Sequence, residues 1–356
     1  MSRPLRVGLV GCGVISSTYL ANDARFDGFE IVACADADPT RASSCAEAHG
    51  IEALPLEQLV VDSAIDCVLD LTPPAAHFEV GIAAIRAGKH LYQEKPLAIG
   101  LEDARTLLRE AASAGVRVGC APDTFLGAGL QTVRVLLDQG AIGEPVGMAL
   151  TMLNGGPERW HPDPAFFYAR GAGPLFDVGP YHVTAAVALL GSVARVVGSA
   201  RRLADRRTTS TGPRAGDQFD VGVDTTVYAL LEHESGPIVS LVTSFDAPGR
   251  ALVPFELRGT SGTLEGLDPN EFGGPLRLRR GTEEAEPIAL LDGVVDDSRG
   301  IGLDEMAEAI ADGRPHRASG ELALHVLEVM HAVLRSAQTG IRVDVSSRVD
   351  RPTALH

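Results

Sequence analysis

Over the first third of the chain, short apolar runs alternate with amphipathic stretches. Leu5–Val10, Ile31–Ala35, Cys67–Leu71, His90–Tyr92 and Val116–Cys120 read as strands. Val14–Ala24, Thr40–His49, Ala75–Ala87 and Leu101–Ala114 read as helices, and Gly88 and Gly115 supply stop signals. Strands alternating with helices predict a parallel, doubly wound α/β sheet, here over residues 1–123. In such a sheet ligands bind beyond the carboxyl ends of the strands. The residues expected there are Gly11, Asp36, Thr72-Pro73-Pro74, Glu94-Lys95-Pro96 and Pro122-Asp123.

The pattern changes after residue 123. Gly127–Gly140 reads as a helix and Pro145–Leu153 as a strand. Val223–Glu232, Ile238–Phe245, Phe255–Arg258 and Thr263–Glu265 then follow one another through tight turns. Period-two alternation in Thr225–Leu230 suits an antiparallel sheet with one covered face. Two closing helices, Ile301–Asp312 and Glu321–Thr339, complete an α+β domain over residues 124–356. Residues 203–221, rich in Arg, Thr, Gly and Asp, read as a mobile loop. No internal repeat is visible.

A length of 356 residues suits two domains, and the net charge of −16 argues against a nucleic-acid partner. No apolar run reaches the length of a membrane span. Met1-Ser2-Arg3-Pro4 leads straight into the first strand and does not read as a secretory signal. The five cysteines (Cys12, Cys34, Cys45, Cys67 and Cys120) lack the two-residue spacing of metal sites. They read as reduced thiols of a cytoplasmic protein, and no metal is expected.

Gly11-Cys12-Gly13-Val14-Ile15-Ser16, between the first strand and first helix, is a G-x-G-x-x-S dinucleotide fingerprint. Gly11 permits the tight turn, Gly13 lets the backbone approach a pyrophosphate, and Ser16 is small enough for close helix packing. Val14 and Ile15 open the helix and join the cofactor set. Asp36 ends the second strand 23 residues after Gly13. A carboxylate there accepts hydrogen bonds from the adenosine ribose and repels a 2′-phosphate, which favours NAD over NADP. Arg41 is the one nearby cation that would suit a 2′-phosphate, and it also fits a solvated helix face.

Together these motifs resemble the Gfo/Idh/MocA family of nicotinamide-dependent oxidoreductases, over nearly the whole chain. Leu71-Thr72-Pro73-Pro74-Ala75-Ala76-His77 is similar to the family's loop beside the cofactor, which brings in Thr72, Pro73 and His77. Glu94-Lys95-Pro96 is similar to its catalytic turn, with Glu94 at the cofactor and a cis Lys95–Pro96 bond. Gly171–Gly179 resembles its glycine-rich lead into a helix. The resemblance implies a Rossmann domain, an open-faced sheet domain that pairs into homodimers or homotetramers, and hydride exchange with a sugar or cyclitol.

One departure concerns Asp177-Val178-Gly179-Pro180-Tyr181-His182, where the commoner family pattern is D-x-G-x-H. Four residues along a helix return to within about 40° of the starting face, and five land about 140° away. Tyr181 is therefore expected over Asp177, with Lys95 lowering the cost of its phenolate, while His182 is the weaker acid/base candidate. Asp177 either orients Lys95, binds a substrate hydroxyl or caps a helix. Arg159, Trp160 and His161 suit sugar stacking and polar readout, and Asp123 could hold sugar hydroxyls. Two rivals share the fold: an NAD-dependent glycosidase that oxidises a sugar transiently, and a non-catalytic nicotinamide-sensing regulator. Lys95, Asp177 and Tyr181 argue for an enzyme, since a sensor needs no proton-transfer groups.

Overall fold

The computed structural model describes residues 3–249 and 253–355; Met1 and Ser2, which begin the expected lead into the first strand, lie outside the described residues. The chain divides into two compact units, Met1–Leu126 with Asp297–Leu327, and Gly127–Asp296 with Glu328–His356.

The first unit runs β1 (Leu5–Val10), α1 (Ser16–Asn22), β2 (Phe29–Ala35), α2 (Pro39–His49), β3 (Glu52–Ala53), α3 (Leu56–Leu59), β4 (Cys67–Asp70), α4 (His77–Arg86), β5 (His90–Gln93), α5 (Leu101–Ala114) and β6 (Val118–Cys120). Six strands form one parallel sheet in the order β3-β2-β1-β4-β5-β6. Val7, Leu9, Cys67, Val68 and Leu69 are fully buried, as strands covered on both faces require. Gly8 makes room for α3, because a Cβ there would stand 2.6 Å from Leu59 Cδ2. Helix α2 begins where the Asp38 side chain accepts from the Thr40 N–H at 2.9 Å, with Pro39 in its first turn. It ends on Gly50 at φ 69°, a left-handed cap that glycine adopts without strain.

The second unit contains α6 (Ala128–Asp138), β7 (Pro145–Leu153), α7 (Pro174–Asp177), α8 (Gly179–Leu190), β8 (Val193–Arg201), β9 (Arg206–Thr208), β10 (Gln218–Asp220), β11 (Thr226–His233), β12 (Ile238–Ser244), β13 (Phe255–Gly259), β14 (Gly262–Glu265), β15 (Leu276–Arg280) and β16 (Glu286–Ile288). Alternation along β11 buries Val227, Ala229, Leu231 and His233 and exposes Tyr228 and Leu230. The covered face of the sheet meets α7 at β11 and β12 and α8 at β12, and every residue of α8 is buried, as a helix apolar on all sides demands. The other face is open to solvent, and at its centre Leu230 lies opposite Val197 on one side and Ser240 on the other.

Three elements remain: α9 (Ile301–Ala311), α10 (Gly320–Thr339) and β17 (Val343–Asp344). With β17 in place, the large sheet has nine strands ordered β16-β15-β14-β13-β7-β12-β11-β8-β17, antiparallel except where β12 meets β7. Helix α9, expected in the second domain, packs in the first unit against β2 and β6. The Asp304 carboxylate on α9 accepts from the Gly28 N–H at 2.8 Å. Residues 203–221 are a second departure from the sequence expectation. They contain the antiparallel pair β9–β10 and are tied down by Arg207, so the segment is ordered. Among the described residues no helix is long and apolar enough to cross a membrane.

Candidate active site

The turn after β1 is shaped for close approach. Gly11 sits at φ 99°, and a Cβ on it would come within 2.8 Å of the Leu71 carbonyl carbon, so only glycine serves. A Cβ on Gly13 would meet nothing within 4 Å, which leaves open space over the turn where a pyrophosphate can lie against backbone. Buried Ser16 closes the turn by donating to the Gly13 carbonyl at 2.6 Å. At the end of β2, Asp36 accepts from the Cys12 N–H and the Asp38 N–H, each at 2.8 Å. Each oxygen keeps a lone pair for a ribose hydroxyl. Arg41 pairs with Asp38 at 3.7 Å, and Val14 stands 88% exposed at the rim. These residues fit a dinucleotide whose ribose carries no 2′-phosphate.

The next two strand ends are clamped together. Thr72 donates through its N–H and hydroxyl to Asp70 Oδ1 at 3.0 and 2.6 Å, and burial pushes the Asp70 carboxyl up. His77 is fully buried, with Nδ1 2.7 Å from the Pro96 carbonyl and Nε2 2.8 Å from the Thr72 carbonyl. His77 therefore fixes the loop, with both ring nitrogens engaged on backbone carbonyls. Thr72 and exposed Pro73 remain at the loop surface.

Half-buried Lys95 lies two residues beyond the end of β5, and the Lys95–Pro96 bond is cis, as the resemblance implied. Glu94 accepts from the Tyr19 hydroxyl and the Lys95 N–H, both at 3.0 Å. Gln93 holds the far side of the turn by donating to the Leu97 carbonyl. The ammonium thus leaves a backbone fixed on both sides.

Asp123 is closed off from solvent. It is 1% exposed, and its Oδ2 accepts from the Gly300 and Gly302 N–H groups at 3.0 and 3.1 Å, at the start of α9. Burial pushes its carboxyl up to about 6 in spite of those donors. The proposed sugar contact is corrected to a structural cap. Its two glycine partners lie nearly 180 residues downstream, beyond the reach of local pattern.

In the second unit, Asp177 ends α7 and Tyr181 lies in the first turn of α8, with Val178 breaking the helix between them at φ −108°. The continuous-helix argument for their shared face is corrected accordingly. Tyr181 is 9% exposed and His182 1%. His182 Nδ1 lies 3.2 Å from the Val178 carbonyl, and Nε2 has no hydrogen-bond partner among the described residues. Burial lowers the His182 pKa.

Trp160, the only tryptophan of the chain, stands 61% exposed in edge contact with His161 and Phe167. Arg159 beside it is exposed and donates to the Gly155 carbonyl at 3.0 Å. Arg207 of β9, which no motif marks, anchors this aromatic ledge. Its guanidinium donates to Glu158 Oε1 at 2.6 Å, to the Tyr168 hydroxyl at 3.2 Å, to the Phe245 carbonyl at 3.1 Å, and to Asp246.

A parallel sheet with a glycine turn after β1 and an acid at the end of β2 is the arrangement of a dinucleotide-binding unit. Residues 5–121 match the family model described as "Oxidoreductase family, NAD-binding Rossmann fold", and residues 130–265 match "GFO/IDH/MocA C-terminal domain". The chain belongs to the GFO/IDH/MocA family. It is 36% identical over 143 residues to 1,5-anhydro-D-fructose reductase of Ensifer adhaerens, a match spanning 40% of this chain and 43% of that protein. D-xylose 1-dehydrogenase (NADP(+)) 2 of Haloferax volcanii is 26% identical over 95% of this chain and 99% of its own length. An NAD binding oxidoreductase from Klebsiella pneumoniae shares the fold at a TM-score of 0.84 and 24% identity, covering 97% of this chain and all of that one.

Proposed function

We propose that the protein transfers a hydride between NAD(H) and a secondary hydroxyl or keto carbon of a sugar, glycoside or cyclitol. The observation that carries the proposal is Lys95, held at the carboxyl end of a Rossmann strand by Glu94 on one side and the His77-pinned Pro96 on the other. The relatives named for sugar chemistry support the substrate class. When bound, the nicotinamide supplies the hydride acceptor. The chain's own part is the proton. Lys95 donates to the reacting oxygen and stabilises the alkoxide, and Tyr181 takes up or returns the hydroxyl proton. A phenol, with a reference pKa of about 10, acts as a base at neutral pH only beside a cation. Asp177 binds a neighbouring substrate hydroxyl. Trp160 offers a flat face for a sugar ring, with Arg159 and His161 for its hydroxyls.

Asp36 sets the preference for NAD over NADP. The open sheet face, apolar at Val197, Tyr228, Leu230 and Ile238, supports pairing with a second copy as a homodimer or homotetramer. Free cysteines support a cytoplasmic location. A screen for NADH formation across aldoses, anhydro sugars, glycosides, amino sugars and inositols tests the proposal. Net NADH with at least one of them is the expected result. Glycoside cleavage without net NADH would replace it with the transient-oxidation glycosidase. NADH binding without turnover on any of them would indicate a sensor.

A further inference from the structure

Three cysteines far apart in sequence converge beside the dinucleotide turn. Cys12 lies in the turn after β1, Cys34 is the penultimate residue of β2, and Cys45 is in the middle of α2. Their sulfur atoms all lie within 4.8 Å of one another. We propose that Cys12, Cys34 and Cys45 form a binding site for a thiophilic d10 cation of the zinc class.

The arrangement needs little adjustment. Zinc–thiolate bonds of about 2.3 Å set sulfurs roughly 3.8 Å apart around one tetrahedral ion, so the cluster closes by about one ångström at most. The backbone that presents the sulfurs is held independently. The Cys12 N–H is fixed to Asp36, the Cys34 sulfur sits 3.4 Å from the Ala42 carbonyl, and strand pairing fixes Cys34 opposite Leu9. Cys34 is fully buried, whereas Cys12 and Cys45 are half-buried and line a cleft of about 380 Å³ between α1 and α2. The cleft is the entry path. His49, one helical turn beyond Cys45, lines the same cleft and can complete a fourth position, as can water. Three sulfur donors select soft or borderline ions over magnesium or calcium. Each ligand gives up its thiol proton, so a divalent ion entering the site leaves one net negative charge on the cluster.

The full-length protein, reduced with a phosphine and stripped of metal, is titrated with Cd2+, and the thiolate-to-cadmium charge-transfer absorption is followed. The band is expected to rise linearly and stop at one equivalent per chain, and Zn2+ is expected to abolish it by competition. Cys45→Ser and Cys34→Ala should each weaken binding by more than ~10-fold, the lower end of what even an outer-shell change costs a metal site. Cys67→Ala, which alters a thiol outside the cluster, should keep the full band. Circular dichroism of each variant confirms that it is folded. No band at one equivalent, or an unchanged band in folded Cys45→Ser protein, would overturn the assignment.

Discussion

Replacing Arg207 with Met should loosen the aromatic ledge that carries Trp160. In the folded protein the Arg207 side chain is 12% exposed, and its carboxylate partners Glu158 and Asp246 are 10% and 11% exposed. Removing one partner of a buried ion pair costs about 3–5 kcal/mol, because the remaining charge stays desolvated. Here the lower end applies. Asp246 still accepts from the Thr225 and Thr226 hydroxyls at 2.7 Å each, and Glu158 keeps the Tyr168 hydroxyl. A loss of about 3 kcal/mol in a unit of this size lowers Tm by ~6–12 °C, at 2–4 °C per kcal/mol. Differential scanning fluorimetry reads that shift. Because Trp160 is the only tryptophan, its fluorescence anisotropy reports the ledge directly, and it should fall in the variant at temperatures well below melting. A Tm within about 1 °C of wild type, with unchanged anisotropy, would show that Arg207 anchors nothing.

Three further outcomes follow from the structure. Wild-type protein should bind NADH more tightly than NADPH by fluorescence quenching, and Asp36→Ala should narrow the gap; tighter NADPH binding would point to Arg41. Tyr181→Phe should lower turnover by about 10²–10⁴-fold while His182→Ala costs far less, and an inactive His182→Ala protein beside an active Tyr181→Phe would reverse the assignment. Burial lowers the His233 pKa from 6.5 to about 4, with Nδ1 engaged at the Gly191 carbonyl. The unfolded chain then binds the extra proton between those values, so stability falls as pH drops from 6.5 toward 4, by roughly 3 kcal/mol for this group. His233→Asn should flatten that acid limb in urea titrations at successive pH values; an equally steep limb would assign it to other groups.

The sequence carried the local features well. Leu5–Val10, Pro145–Leu153 and Leu101–Ala114 have the observed ends because apolar period and glycine punctuation act within a few residues. The glycine turn, Asp36 and the Lys95 turn were legible for the same reason, since each sits just after a short apolar run. Features built from distant segments were not. Asp123 looked like a strand-end ligand until Gly300 and Gly302 arrived from a helix expected in the other domain. His77 carried a motif signal for the cofactor loop, and only the fold revealed that both its nitrogens are spent on backbone. Arg207 lies in a polar, glycine-rich stretch that reads as a loop, and its partners Glu158, Tyr168 and Asp246 come from three other segments. The thiol cluster was hidden likewise, because no two of its cysteines share a metal-site spacing.

The central claim is that Lys95 acts on the substrate oxygen and is not needed to hold the dinucleotide. Lys95→Ala protein, assayed for NADH formation on the best substrate of the screen and for NADH affinity by fluorescence quenching, tests it most directly. The account predicts turnover lowered by at least ~10²-fold with NADH affinity nearly unchanged. Turnover within about tenfold of wild type, or loss of NADH binding in step with activity, would contradict it.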